Sequence, residues 1–115
     1  SGTSMAVTIK NIIPRQYAST SSTTMYTASN CKASIDKFTG TNVSGGNVLM
    51  SVYLVVSGGV AGNSNAIYLN RSIVSGETYD FPGLVGQVLE SGGFIVVSVS
   101  GANSIVVSAA GREFT

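Results

Sequence analysis

The sequence predicts an all-β fold: an antiparallel β-sandwich, jelly-roll-like, with one short helix near residues 83–91. Three observations carry that prediction. Short apolar runs rich in Val and Ile alternate with Ser, Thr, Gly and Asn, the period-2 pattern of half-buried strands. Turn-forming residues interrupt these runs often enough for roughly seven or eight strands. The chain has one Cys and no Trp, so the marks of an immunoglobulin domain are missing and the jelly-roll is favoured. With 115 residues, 43% of them hydrophobic, the chain can build one ordinary core and reads as one domain. Ser1–Ser4 read as a cleavage scar from an expression tag, which sets the domain at 5–115.

The elements follow in order. Val7 and Ile9 alternate with Thr8 and Lys10 and open a strand that runs toward Ile13. Pro14 has no N–H, so it ends this strand or places it at a sheet edge. Ser19–Thr24 is a Ser/Thr run, a loop or a polar lead-in to a second strand over Met25–Ala28. Cys31, Ala33 and Ile35 alternate with Lys32, Ser34 and Asp36, a strand ending near Phe38. Gly40–Gly46 is a loop by composition. Asn47–Val56 is the clearest central strand. Val48, Met50, Val52, Leu54 and Val56 share one face, and Leu49, Ser51, Tyr53 and Val55 the other, so both faces are largely apolar and call for cover.

Ser57–Asn65 is a Gly/Ser/Asn loop, and Ala66–Ile73 is a strand. Ser75-Gly76-Glu77 makes a tight turn into a strand over Thr78–Phe81, which Pro82 closes. Leu84, Val85, Val88 and Leu89 fall on one face of a short helix, with Pro82 at its start and Gly92-Gly93 at its end. Phe94–Ser100 and Ser104–Ala109 form a hairpin around Gly101-Ala102-Asn103.

Composition narrows the chemistry. Only 10% of residues are charged, the net charge is +1, and there is no His. The commonest general base and metal ligand is therefore missing. No Gly-x-Ser-x-Gly elbow occurs. The acids Asp36, Glu77, Asp80, Glu90 and Glu113 are scattered along the chain, so paired-carboxylate catalysis has no obvious site. Cys31 lies on an inward face and reads as a small buried hydrophobe. The loop Gly58–Ser64 lacks the Gly-Lys-Ser/Thr ending of a phosphate cradle. Six basic residues, not interleaved with the aromatics, argue against nucleic acid, and no run is long enough to span a bilayer as a helix. Neither a cofactor, a metal site, nor a catalytic residue is expected. Asn42-Val43-Ser44 and Asn70-Arg71-Ser72 match the glycosylation acceptor pattern and read as chance matches.

Near-neutral charge and a Val-rich strand with two apolar faces instead point to assembly, with a homo-oligomer expected. Candidate assembly contacts are Ile12, Ile13, Tyr17, Tyr26 and Tyr53. The mobile-reading N-terminal stretch 5–24 and the loops 40–47 and 57–65 are candidate contact segments. The alternative is a receptor- or carbohydrate-binding module, with Asn65, Tyr68, Asn70 and Arg71 as its ligand loop.

A spaced set of short motifs runs through the second half. Asn42 sits in a Thr-Asn-x-Ser loop before a long apolar strand. Tyr68-Leu69, Ser75-Gly76-Glu77-Thr78-Tyr79, Leu84-Val85-Gly86-Gln87-Val88-Leu89, Ser91-Gly92-Gly93-Phe94-Ile95 and Ser108–Phe114 follow. From Thr39 to Thr115 this resembles small virion proteins of tailed bacteriophages, of the capsid decoration or cement type. Gly93 stands where that pattern often has Asp. The resemblance implies a non-enzymatic structural protein on the particle surface, made in the host bacterial cytoplasm. Its implied partner is the major capsid protein or another virion protein, which it stabilises through apolar and backbone contacts.

Overall fold

A computed structural model describes residues 6–115. The tag scar expected at Ser1–Ser4 lies outside the described residues. The strands are β1 (Val7–Tyr17), β2 (Thr23–Thr27), β3 (Lys32–Asn42), β4 (Val48–Val55), β5 (Ala66–Ile73), β6 (Thr78–Asp80), β7 (Val88–Leu89), β8 (Phe94–Val99) and β9 (Ile105–Phe114). One sheet has the order β1-β9-β3-β6, with β7 also paired to β3, and the other has the order β2-β8-β4-β5. All pairings are antiparallel. With the two-residue β7 set aside, this is the interlocked pair of Greek keys that defines a jelly-roll.

The core lies between the sheets. Phe38, Phe81, Ile35, Met50, Ile73 and Ile95 are among its largest fully buried side chains. The expected inward set Cys31, Ala33 and Ile35 is buried, as are Val48, Met50 and Val52. On the outer face of β4, Ser51 and Val55 are buried as well, while Tyr53 is half-buried. A 3-10 turn over Asn63–Asn65 lies beside β4 and leads into β5.

Bulges explain where period-2 reading departs from the fold. β1 slips register against β9 between Lys10 and Ile13 and again between Ile13 and Gln16. The first slip turns two successive residues inward, so Ile12 and Ile13 are both buried in the core. β3 slips between Ile35 and Lys37, which brings Phe38 inward after Ile35. β3 also runs on through Gly40 to Asn42, where composition reads as loop. Gly40 is a core position: a Cβ there would lie 3.1 Å from the Phe81 ring and 3.3 Å from the Met50 sulfur. The missing side chain makes room for Phe81, which meets Phe38 edge-on at 5.2 Å.

The helix expected near 83–91 does not form. Residues 82–86 make successive turns, with the Leu84 N–H donating to the Phe81 carbonyl and the Gln87 N–H to that of Leu84. Gly86 then adopts a left-handed φ of 88°, which ends any helical path. Its N–H donates to the Ile35 carbonyl, while the Ile35 N–H donates to the Gln87 carbonyl. The segment is thus held by the bulge of β3. Leu84 and Leu89 are buried, but Val85 and Val88 are exposed, so the four do not share a face.

Asn42 organises the opposite end. It is fully buried, and its side-chain N donates to the carbonyls of Gly46 and Ile73, each at 2.8 Å. Its side-chain oxygen accepts from the Ser44 N–H at 2.9 Å and the Ser44 hydroxyl at 2.7 Å. One side chain therefore ties the β3–β4 loop to the end of β5, and its amide is fully engaged in these bonds.

A polar tie closes the sandwich between β1 and β2. Glu113 on β9 accepts from the Tyr26 hydroxyl of the other sheet and from the Lys10 ammonium at 3.2 Å. Cys31 adjoins the same pair. The Tyr26 hydrogen bond, helped by Lys10 and opposed by burial, holds the Glu113 carboxyl below its ordinary 4.5. Burial, with the bond to Glu113, pushes the Tyr26 hydroxyl above its ordinary 10.0.

Each feature makes a prediction. Asn42→Ala orphans the buried Ile73 carbonyl and releases the β3–β4 loop, and should cost about 2–3 kcal/mol in a urea titration. Gly111→Ala should cost a similar amount, because its Cβ would overlap the Ser34 carbonyl oxygen. The lowered Glu113 value makes its contribution complete above about pH 5 and lost as pH falls through the folded value. The raised Tyr26 value makes its contribution complete below pH 10 and lost above it. Melting temperature against pH should therefore fall at both ends, and Glu113→Gln should flatten the acid limb.

Candidate functional site

The carboxylates and most of the basic groups are engaged in structural contacts. The Arg112 guanidinium holds Asp36 through two nitrogens, at 3.0 and 2.9 Å. Lys32 lies 3.4 Å from Glu90, and Lys37 lies 4.0 Å from Asp80. Glu77 accepts the Val74 N–H at 2.9 Å, closing the β5–β6 turn. Glu113 is held by Tyr26 and Lys10. Each of the five carboxylates thus has a local partner. Among the described residues, no three of Cys, Asp and Glu gather where they could hold a metal ion. No helix among them is long and apolar enough to cross a membrane.

What stands out is apolar surface at the end of the sandwich that carries the β4–β5 loop and the β7–β8 turn. Leu54, Val55 and Val56 of β4 and its exit face Val88, Leu89, Glu90 and Gly93 across a shallow groove of about 100 Å³. Val56 is 74% exposed, Val60 83% and Val88 52%. Local backbone chemistry builds this end. Gly58 takes a φ of 78° and the Gly59 N–H donates to the Val56 carbonyl, which turns the chain sharply out of β4. The Asn65 side chain accepts from the Gly62 N–H and donates to the Val60 carbonyl, both at 2.9 Å, so the loop is braced and presents Val60 outward. Across the groove, Gly92 has a φ of 84° and exchanges backbone bonds with Ala28 together with Gly93. The β7–β8 turn is thereby anchored to the chain leaving β2.

The candidate assembly residues fall into two groups. Ile12, Ile13 and Tyr26 are buried within this chain and have little surface to offer a partner. Bulging of β1 buries the first two, and Glu113 draws the third inward. Tyr17 is exposed at the far end of β1, opposite Val106. Tyr53 is half-buried on the outer face of β4, beside Val96 of β8.

The candidate ligand residues are not brought together as a loop. Asn65 braces the β4–β5 loop. Tyr68 accepts the Gly83 N–H at 2.7 Å and packs edge-on against Phe81 at 4.9 Å. Asn70 sits at a bulge with a φ of 52°, and its N–H donates to the buried Ser51 hydroxyl. Arg71 stacks on the Tyr79 ring at 4.2 Å. Their polar groups mainly hold the β5 edge to its neighbours. Val56 and Val88 escaped the sequence reading as contacts, while Val60 lies in the loop 57–65, one of the candidate contact segments. Val60 carried a usable signal: an apolar residue inside a Gly/Ser/Asn loop has no strand face to bury it.

No protein-family profile matches the sequence, and no curated protein does. The fold is similar to that of a chain in the solved structure of infectious bursal disease virus, Gx strain. The TM-score is 0.56 at 16% identity, over 99% of this chain and 34% of the viral chain. This chain spans about a third of that chain's length, and at this identity the likeness is one of fold.

Proposed function

We propose that this chain is a non-enzymatic virion structural protein that binds the capsid surface as a decoration or cement protein. The observation that carries the reading is the jelly-roll strand order, matched along nearly the whole chain by a chain of a virus particle. Jelly-rolls recur in viral capsid domains, where a rigid module with protected edges serves assembly. The spaced motifs between Thr39 and Thr115 support the finer phage-decoration reading. The carboxylates, engaged in ties between strands and turns, favour a scaffold over a catalyst.

In this reading the apolar end meets the major capsid protein or another virion protein. Val56, Val60 and Val88 supply the contact, and the braced β4–β5 loop limits the entropy lost on docking. Each site is weak because the groove is shallow. Many equivalent sites on a particle add their effects.

Cosedimentation of purified protein with empty capsids of the parent particle tests this. Attachment is the expected result, with Val56→Lys and Val88→Lys each weakening it about tenfold or more. The melting temperature should stay unchanged, because both side chains are largely exposed. Failure of the wild-type protein to attach would overturn the reading. So would attachment to glycans with none to capsids.

A further inference from the structure

We infer that the first half of β1 is a self-association edge, where a second copy of this chain adds its own β1 in antiparallel register. The inference concerns the free protein and goes beyond the virion reading.

Sheet edges carry unpaired N–H and C=O groups, and folded proteins blunt them with short strands, bulges, proline and charge. Three of the four edges here are blunted. β2 has five residues and a register slip beside Met25. β5 slips twice and carries the left-handed Asn70 beside Arg71. β6 and β7 have three and two residues. β1 has 11 residues, and its slips, Pro14 and Arg15 all lie beyond Lys10. Val7 to Lys10 run unbroken against Phe114 to Gly111, with no strand among the described residues on their other side.

The pairing phase decides which groups are free. Ala6 and Thr115 exchange both backbone bonds, at 3.2 and 3.0 Å. Alternation along an antiparallel ladder then turns Thr8 and Lys10 toward β9, and the N–H and C=O of Val7 and Ile9 outward. These two residues also carry apolar side chains to the surface: Val7 is 54% exposed and Ile9 is 84% exposed. The bare backbone and the bare side chains coincide.

The charges fit a second copy. Lys10 is the sole charged residue between Ala6 and Ile13. Glu113 of the same chain already neutralises it, at 3.2 Å. Arg112, the neighbour of Ile9 on β9, is likewise held by Asp36. A two-fold axis that sets Ile9 of one copy opposite Ile9 of the other places Val7 opposite Asn11 and Thr8 opposite Lys10. No like charges meet, and about six backbone hydrogen bonds become available. The contact is isologous, so it closes at two copies. A segment this short buries less than the roughly 1,200 Å² of a standard interface, so the dimer is weak and dilution dissociates it.

Sedimentation equilibrium from about 10 µM to about 1 mM tests this. The wild-type protein should shift from monomer toward dimer across that range. Ile9→Pro removes an outward N–H while keeping the bonds to β9, and Ile9→Lys places an unpaired charge on the edge. Each should weaken association about tenfold or more. Val74→Lys, a half-exposed apolar site in the β5–β6 turn at the Asn42 end of the sandwich, should leave it unchanged. Melting temperatures confirm folding, and if Ile9→Pro unfolds, Ile9→Lys decides alone. A wild-type monomer at every concentration would overturn the inference. So would a dimer that survives a folded Ile9 variant, or one that Val74→Lys abolishes. None of these outcomes involves capsids, so this inference and the virion reading stand or fall separately.

Discussion

The pairing of β9 between β1 and β3 is the constraint on which the rest of the molecule depends. It places the last strand at the centre of one sheet, with residues from the start of the chain on one side. Loop-closure entropy must be met before this contact forms, so the sheet cannot be completed by local steps alone. Gly111 allows the close approach of β9 to β3 at the Ser34 carbonyl. Glu113, two residues on, reaches the other sheet through Tyr26. One strand therefore sets sheet order and also links the two layers.

The two ends of the sandwich are built differently. At one end, the buried amide of Asn42 draws the β3–β4 loop and the end of β5 together. At the other, glycine turns and the Asn65 brace hold a surface of valines in place. The scarcity of charge follows from this division. Most of the few ionisable groups serve as ties between neighbouring strands, and the remaining surface is rich in Ser, Thr, Gly and Asn with scattered apolar side chains. Such a surface offers little to a charged substrate and little resistance to close contact with another protein.

The strands were legible because β-structure writes itself with a period of two. β4 and β8 read correctly on that basis, as does the inward set Cys31, Ala33 and Ile35. The candidate contacts were less legible. Ile12 and Ile13 are adjacent, and alternation would leave one of them outside, but a bulge opposite Ala110 turns both inward. Tyr26 reads as a surface aromatic until its hydroxyl finds Glu113, 87 residues away. The spacing of Leu84, Val85, Val88 and Leu89 is compatible with a helix, yet the free backbone groups of Ile35 capture Gly86 and Gln87 first. Propensity over so short a segment is weak beside two tertiary hydrogen bonds.

By itself the sequence determined the class of fold, most strand positions and the absence of histidine chemistry. These follow from composition and from patterns only a few residues long. The tertiary structure decided which residues those strands bury at their bulges, which edge stays bare and which end gathers valines. It also turned Asn42 from a surface acceptor pattern into a buried clasp. Each of these depends on partners distant along the chain, and a short-range pattern carries no information about where such partners will lie.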